Sequence, residues 1–418
     1  MLKSASWLTV AALIAGVAAG TMAGLWGSPE VKAAVETFES VGVLWLNALR
    51  MTVIPLVVCL LVTGIASVAD AAATGRLAVR AIVVFGVLLV AATAYAAAVI
   101  PAVLAAWPVN AASAAAFVAS AAAAGQTVAP ASPPTVGEWL AALAPANPVA
   151  AAADGAVLPL TVFAIFFGFA ATRLPAAQRV PLVNFFRAVA DTMIVIVRWV
   201  LVAAPVGVFA LSLGVGVRSG LGAAGALLQY IVIACAVTLG VALIAFLAAV
   251  LWGRVVAGRF LNASAPVLAV AFSTQSSLAS LPIMVERSRD VLGAPASVAN
   301  LVLPLAVAVF RMTSPVTNLA VVFFVAAVHG LHLGPAAILA GCVVAVAISV
   351  GSVGLPGQVS FIASVGPICL AMGVPTDVLG ILLAVEVVPD IFRTVGNVMG
   401  DMAAAVIANR GAPTAADA

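Results

Sequence analysis

Near its C terminus the chain reads Glu386-Val-Val-Pro-Asp390-Ile-Phe-Arg393-Thr394-Val-Gly-Asn397-Val-Met-Gly-Asp401. Steps of four, three, four and four place Glu386, Asp390, Arg393, Asn397 and Asp401 along one stripe of a helix. An ionisable residue near the centre of a bilayer costs at least about 2.5–3.5 kcal/mol on insertion scales. Three acids and an arginine on one stripe of an apolar segment therefore point to a polar binding face turned inward. A self-neutralising ion-pair stripe that pins helices together is the competing structural reading. The guanidinium of Arg393 offers a fork that matches a carboxylate bidentately. Asp390, one turn earlier, suits an ammonium, and Thr394 and Asn397 add neutral hydrogen-bond partners. A small ligand carrying an amino group and a distal carboxylate fits this face. Its other carboxylate would need donors from elsewhere in the chain.

The elements that must position this stripe are membrane helices. Seventeen basic and fourteen acidic residues make up 7% of 418 residues, the hydrophobic fraction is 65%, and the mean hydropathy is +1.28. A soluble domain carries roughly 25% charged residues, so a water-coated globule is excluded, as are a disordered chain, a collagen and a disulfide scaffold. Long unbroken apolar runs argue against a β-barrel. A polytopic α-helical membrane protein remains. Cys59, Cys235, Cys342 and Cys369 each stand alone in an apolar run and read as small buried hydrophobes. The N-terminal run continues to about Trp26 without an A-x-A cleavage site and reads as the first membrane helix rather than a signal peptide. Further spans are expected at 41–69, 81–106, 156–172, 187–216 and 221–252. Basic residues are scattered and give no nucleic-acid surface.

The second half is less regular. Arg76 and Arg80; Arg173, Arg179 and Arg187; Arg254 and Arg259; and Arg287 and Arg289 fall in short loops. These can share the inner face with Lys3 and Arg410 if 262–285 dips in and returns as a re-entrant hairpin. The acidic stretch Glu30–Glu39 and the Ala/Pro/Ser segment 120–137 then face outward. Broken backbone at membrane depth is tolerated only where it is buried in protein or lines a wet cavity. Two tips have that composition, Ser273-Thr-Gln-Ser-Ser-Leu-Ala-Ser-Leu-Pro282 and Ser349-Val-Gly-Ser-Val-Gly-Leu-Pro-Gly357. Each is followed by a long helix, the pattern of repeated halves around a midplane site in secondary transporters. Their backbone N–H groups, with the Ser276 or Ser277 hydroxyl and half-helix dipoles, would hold the ligand's second carboxylate.

With these tips and the motif Asp390-x-x-Arg393-Thr394-x-x-Asn397-x-x-x-Asp401, the chain resembles the dicarboxylate/amino acid:cation symporter family, the glutamate transporter homologues. Weaker matches are Met51-Thr-Val-Ile-Pro55, Asn147-Pro148, Leu158-Pro159 and Ala204-Pro205-Val-Gly-Val-Phe-Ala210. The resemblance implies an all-α fold of eight transmembrane helices plus two re-entrant hairpins, built from inverted repeats. It implies scaffold helices 1 and 2 over residues 1–78, helix 3 of a transport domain over 79–107, and an extracellular loop with scaffold helices 4 and 5 over 108–219. Residues 220–418 complete the transport domain: helix 6, hairpin 1 at about 257–290, helix 7 at about 296–328, hairpin 2 at about 335–372 and helix 8 at about 376–409. The resemblance further implies a homotrimer in the inner (plasma) membrane, with both termini cytoplasmic, that moves substrate by an elevator motion gated by the second hairpin. The substrate-binding positions implied are Gln275, Ser276, Ser277, Thr313, Gly354, Leu355, Asp390, Arg393, Thr394 and Asn397. The acid at Asp390 favours aspartate or glutamate over succinate.

The pattern breaks where the family binds sodium. An Asn-Met-Asp-Gly-Thr run of its helix 7 is replaced by Phe310-Arg311-Met312-Thr313-Ser314-Pro315, and its helix 3 oxygen donors by Phe85-Gly-Val-Leu-Leu89. Arg311 must find acids, and Asp401 and Glu386 are the nearest partners by family geometry. The guanidinium is read as standing where a sodium ion would be, which leaves Asn397 and Asp401 as the residual sodium candidates and no other cofactor. Transport is expected to be sodium-independent or weakly sodium-dependent, either as uncoupled uniport and exchange or coupled to protons through Glu386 or Asp390. A sodium- or proton-coupled C4-dicarboxylate/amino acid symporter is the alternative. A membrane-embedded hydrolase using Ser276 or Ser277 is a remote one, since the only histidines, His329 and His332, lie in a loop and read as solvated. A dedicated channel would need rings of charge or carbonyls. Trp26, Trp107, Trp139 and Trp252 read as belt anchors at the interfaces.

Overall fold

The structure, a computed structural model, describes residues 2–72, 75–122, 145–154, 157–219, 222–351 and 357–410. Among these, every regular element is a helix. In chain order they are α1 (Leu2–Trp26), α2 (Pro29–Arg50), α3 (Val53–Ala72), α4 (Arg76–Ala106), α5 (Ala111–Ala122), α6 (Pro148–Ala153), α7 (Val157–Ala171), α8 (Ala176–Val202) and α9 (Ala204–Ser219). The second half supplies α10 (Gly222–Leu251), α11 (Ala257–Thr274), α12 (Ser277–Asp290), α13 (Ala296–Val309), α14 (Ser314–Val328), α15 (Pro335–Gly351), α16 (Gly357–Met372), α17 (Leu379–Val385) and α18 (Val387–Asn409). Among the described residues, five stretches are long and apolar enough to cross a bilayer: Arg76–Ala106, Ala176–Val202, Gly225–Leu251, Ala296–Val328 and Val387–Asn409. Shorter apolar helices accompany them.

Several expected single spans are broken in two, and proline explains where. The run 41–69 is interrupted at Met51 and Thr52, 187–216 at Ala203, the helix 7 region at Phe310–Thr313 and the helix 8 region at Glu386. In each case the new helix carries a proline in its first turn: Pro55, Pro205, Pro315 and Pro389. Proline lacks the N–H that would continue the preceding helix, and it costs nothing in a first turn, where that N–H is unpaired anyway. The last two breaks carry polar groups at depth. Segment 257–290 is a helical hairpin with its two ends together. The Arg259 Nε–H donates to the Val291 carbonyl and Arg287 Nη2 donates to the Asn262 carbonyl at 3.0 Å. Arg410, just past the end of α18, reaches the Trp252 carbonyl just before the hairpin, at 2.9 Å.

Packing separates two regions. Helix α1 lies along α9 with α2 beside them, and the approach is close because both lack side chains at the crossing. A methyl on Gly20 would sit 2.1 Å from the Leu213 carbonyl oxygen, the small-residue contact that membrane helices use in place of a hydrophobic driving force. Glu39 is buried against α9 beside Gly214. Helix α18 is the axis of the second region, touched by α4, α10, α11, α12, α13, α14 and α16. A helix enclosed on all sides can carry polar side chains only if protein surrounds them. Trp26, Trp107 and Trp252 are exposed, and Trp139 lies outside the described residues.

His329 also departs from expectation. His332 is exposed, but His329 caps the end of α14 half-buried, with Nε2 3.2 Å from Asp377 Oδ2 and Nδ1 2.8 Å from the Val325 carbonyl. Burial works against the imidazolium, yet the hydrogen bond and charge of Asp377, with the Val325 carbonyl, hold His329 above its ordinary value. The charged link therefore stabilises the fold fully below about pH 6.5, the ordinary histidine value, and fades as pH rises through the raised one. Replacing His329 by Gln is expected to cost roughly 1–2 kcal/mol in mildly acidic buffer and much less in alkaline buffer. Thermal unfolding of wild type and variant at the two pH values reads the difference.

Candidate functional site

The stripe foreseen from spacing is buried throughout. Glu386, Asp390, Arg393, Thr394, Asn397 and Asp401 are each at most 3% exposed. Glu386 sits at the α17–α18 break and the others on α18. Facing them is the α13–α14 break, whose extended Phe310 turns the backbone so that Thr313 meets α18. The Thr313 amide N–H donates to Asn397 Oδ1 at 3.0 Å, and the Thr313 hydroxyl lies 2.8 Å from the same oxygen and 2.9 Å from the Arg393 carbonyl. The close approach requires Gly396, where a methyl would lie 2.5 Å from Thr313 Cγ2. The backbone N–H fixes which way the Asn397 amide points. Its oxygen is used and its Nδ2 donors have no partner.

Arg393 is held on three sides. Its Nη2 donates to Asn318 Oδ1 at 2.7 Å and lies 3.3 Å from the Ser314 hydroxyl, while Nη1 is 3.6 Å from Glu386 Oε1. The Tyr230 hydroxyl donates to Glu386 Oε2 at 2.9 Å. Asn318, like Asn397, accepts with its oxygen and leaves Nδ2 buried without a partner. A buried unpaired donor costs about 1–3 kcal/mol. These two amide donors, one on the residue that accepts from Arg393 and one a turn along α18 from it, are chemically suited to an anion with several oxygens. Thr394 spends its hydroxyl on the Asp390 carbonyl of its own helix, at 2.9 Å.

Arg311 lies in the break, 8% exposed, where it interacts through space with Asp390, Asp401 and the like charge of Arg393. Both carboxylate oxygens of Asp401 lack a hydrogen-bond partner among the described residues. The coupling of Arg311 to Asp401 is thus coulombic and not a hydrogen bond. Beside Gly400, the residue before Asp401, the packing is apolar. Phe85 of α4 stacks on Phe310, ring centroids 4.7 Å apart and planes 9° apart, and Phe310 and Met312 cover Gly400.

The first hairpin tip turns at Gln275, whose positive φ of 52° is uncommon for a residue with a side chain. Ser276 then caps α12 by accepting from the Ala279 N–H, and the buried Ser277 hydroxyl has no partner. The recorded bonds of Thr274, Ser276 and Ser280 stay within the hairpin. Gly354 and Leu355 of the second tip lie outside the described residues. Sequence reading missed Tyr230, Ser314 and Asn318. Tyr230 is one of two tyrosines, alone in an apolar span, and Ser314 and Asn318 are four residues apart on one helix face.

Comparison with known proteins places the chain among transporters. The family model described as the sodium:dicarboxylate symporter family matches residues 6–411. The chain is 27% identical to the proton/glutamate-aspartate symporter of Escherichia coli (strain K12), over 97% of this chain and 92% of that protein. It is 30% identical to the neutral amino acid transporter B(0) of Oryctolagus cuniculus, covering 94% and 77%. To the proton/sodium-glutamate symport protein of Bacillus caldotenax it is 25% identical, covering 97% and 94%.

Proposed function

The chain belongs to the sodium:dicarboxylate symporter family, and from that premise we propose that it carries aspartate or glutamate across the membrane with little or no need for sodium. It is an integral membrane protein and a secondary amino-acid transporter, not an enzyme. The observation that carries the substrate class is the trio of Arg393 and the two unpartnered amide donors, Asn318 Nδ2 and Asn397 Nδ2. A distal carboxylate is the ligand group suited to such donors. An acid at position 390, on the same helix face as Arg393, favours an amino acid over a C4-dicarboxylate. The Escherichia coli relative, named for glutamate and aspartate, supports the same choice.

The sodium reading rests on donor chemistry. A sodium ion beside Asp401 needs several oxygens. The Asn397 oxygen already accepts from the Thr313 N–H, and the stacked rings of Phe85 and Phe310 offer none. The residues present do not fit the ion. Arg311 supplies the positive charge instead, on a tether. A charge that cannot leave cannot couple transport to a gradient, because an ion drives a carrier only if it binds differently in different states. In this reading residues 1–78 and 108–219 form a trimeric scaffold, and residues 79–107 and 220–418 form the moving transport unit. The packing of α4 and α10 to α14 around α18 supports that division.

Counterflow of aspartate into proteoliposomes with sodium replaced by choline tests the proposal. Saturable, stereoselective exchange at an undiminished rate is the expected result. A strict sodium requirement overturns the sodium half. Binding titrations with glutamate, succinate and neutral amino acids decide the substrate half.

A further inference from the structure

We infer that the pole where α4 and α11 begin and α10, α12 and α18 end binds the headgroup of an anionic phospholipid of the inner leaflet. The inference is independent of the substrate reading above. Arginine contacts draw these ends together. Arg80 Nη2 donates to the Ile407 carbonyl in the last turn of α18 at 3.5 Å, and Arg410 donates to the Trp252 carbonyl just past α10. Residues 252–256 lead straight into α11. There Arg287 of α12 donates to the carbonyl and side-chain oxygens of Asn262, and Arg259 donates to the Val291 carbonyl just past α12. Seven arginines crowd this pole, Arg76, Arg80, Arg254, Arg259, Arg287, Arg289 and Arg410, against two acids on the same helix ends, Glu286 and Asp290. Among the described residues none of the seven is in an ion pair.

Capping accounts for only part of this charge. Helix C-termini collect unpaired carbonyls and the negative end of the dipole, so Arg80, Arg259 and Arg410 have a role inside the protein. Arg76, Arg254 and Arg289 are exposed and have no recorded hydrogen bond among the described residues. Like charges gathered without counter-charges repel one another, and the planar guanidinium fork matches a phosphate. The pole therefore offers more phosphate donors than the protein itself uses. Its apolar neighbours identify where the phosphate comes from. Exposed Leu251 and Trp252 lie at the end of α10, and exposed Val256 and Leu261 at the start of α11. Tryptophan settles at headgroup level and arginine excess marks the cytoplasmic side. That leaflet carries the anionic lipids that attract basic segments. A lipid meets both features at once, its phosphate on the arginines and its chains along the leucines and valine. A diffusible anion uses only the first.

The experiment is native mass spectrometry of the full-length protein in neutral detergent, titrated with dioleoyl phosphatidylglycerol or dioleoyl phosphatidylcholine. Phosphatidylglycerol is expected to bind at least about tenfold more tightly, with the difference shrinking as ammonium acetate is raised. Arg254→Asn combined with Arg289→Gln removes two charges that no recorded contact uses. Asparagine tolerates the left-handed backbone at position 254, where φ is 55°, so the fold is kept. This double variant is expected to lose roughly twentyfold in phosphatidylglycerol affinity, about fivefold for each arginine, with phosphatidylcholine unchanged. Arg76→Gln, at the exposed start of α4, is a second variant and loses about fivefold. Arg187→Gln, the same charge change on α8, keeps wild-type affinity. Equal binding of the two lipids overturns the inference. So does a folded double variant with wild-type phosphatidylglycerol affinity, or Arg187→Gln that loses as much. Inorganic phosphate that displaces phosphatidylglycerol at equal concentration makes this a free-anion site and overturns the lipid assignment.

Discussion

Arg393→Ala is expected to abolish aspartate and glutamate transport, lowering affinity by about a hundredfold to a thousandfold. Two losses combine. The substrate's distal carboxylate loses its guanidinium, and Glu386 is left buried without the charge 3.6 Å from it. Removing one partner of a buried pair costs about 3–5 kcal/mol, and every 1.4 kcal/mol is tenfold in affinity. Asn318 Oδ1 also loses the 2.7 Å donor that orients its amide. Arg393→Lys separates charge from shape. An ammonium restores the formal charge but has no planar fork and cannot serve Asn318, Ser314 and a substrate carboxylate together. Roughly a hundredfold loss is expected to persist. Counterflow in proteoliposomes measures both, with thermal unfolding as the check that each variant is folded. Uptake of alanine or serine by Arg393→Ala, if gained, shows that the same cavity accepts a shorter, uncharged side chain once the arginine is gone.

The residues on which this argument turns were unequally legible. Spacing alone gave Glu386, Asp390, Arg393, Asn397 and Asp401, because α18 is regular from Val387 to Asn409 and one face of a regular helix can be read from intervals of three and four. The hairpin 257–290 was legible from the sign of its flanking arginines, and the Arg259–Val291 contact shows its ends together. Hydropathy ran through the breaks at Met51, Ala203 and Phe310, since an apolar run looks continuous whether or not its backbone is. The prolines that cause those breaks were visible but unweighted. Tyr230 was missed for a different reason: it meets Glu386 across 156 positions of sequence, and only packing brings such pairs together. His329 was assigned to solvent by its polarity, whereas it caps α14 against Asp377.

Arg311→Met is the sharper test of how the site balances its charge. In sodium-free buffer the variant is expected to bind aspartate roughly a hundredfold more weakly, about 3 kcal/mol. Asp390 and Asp401 both lose a cation that reaches them through space, and Asp401 has no hydrogen bond among the described residues to fall back on. Saturating sodium is expected to recover little of the loss. The ion would find one carboxylate, an amide oxygen already occupied by Thr313, and the faces of Phe85 and Phe310. Removing the second charge separates an electrostatic cause from a packing one. If Arg311 acts by neutralising Asp401, adding Asp401→Asn to Arg311→Met relieves the orphaned charge. The double variant then binds more tightly than Arg311→Met alone, a coupling that a double-mutant cycle reads directly. If Arg311 only fills space, the methionine is nearly neutral and the two substitutions add. An Arg311→Met protein with wild-type affinity in choline buffer removes the fixed counter-ion from the mechanism, and with it the reason for sodium independence.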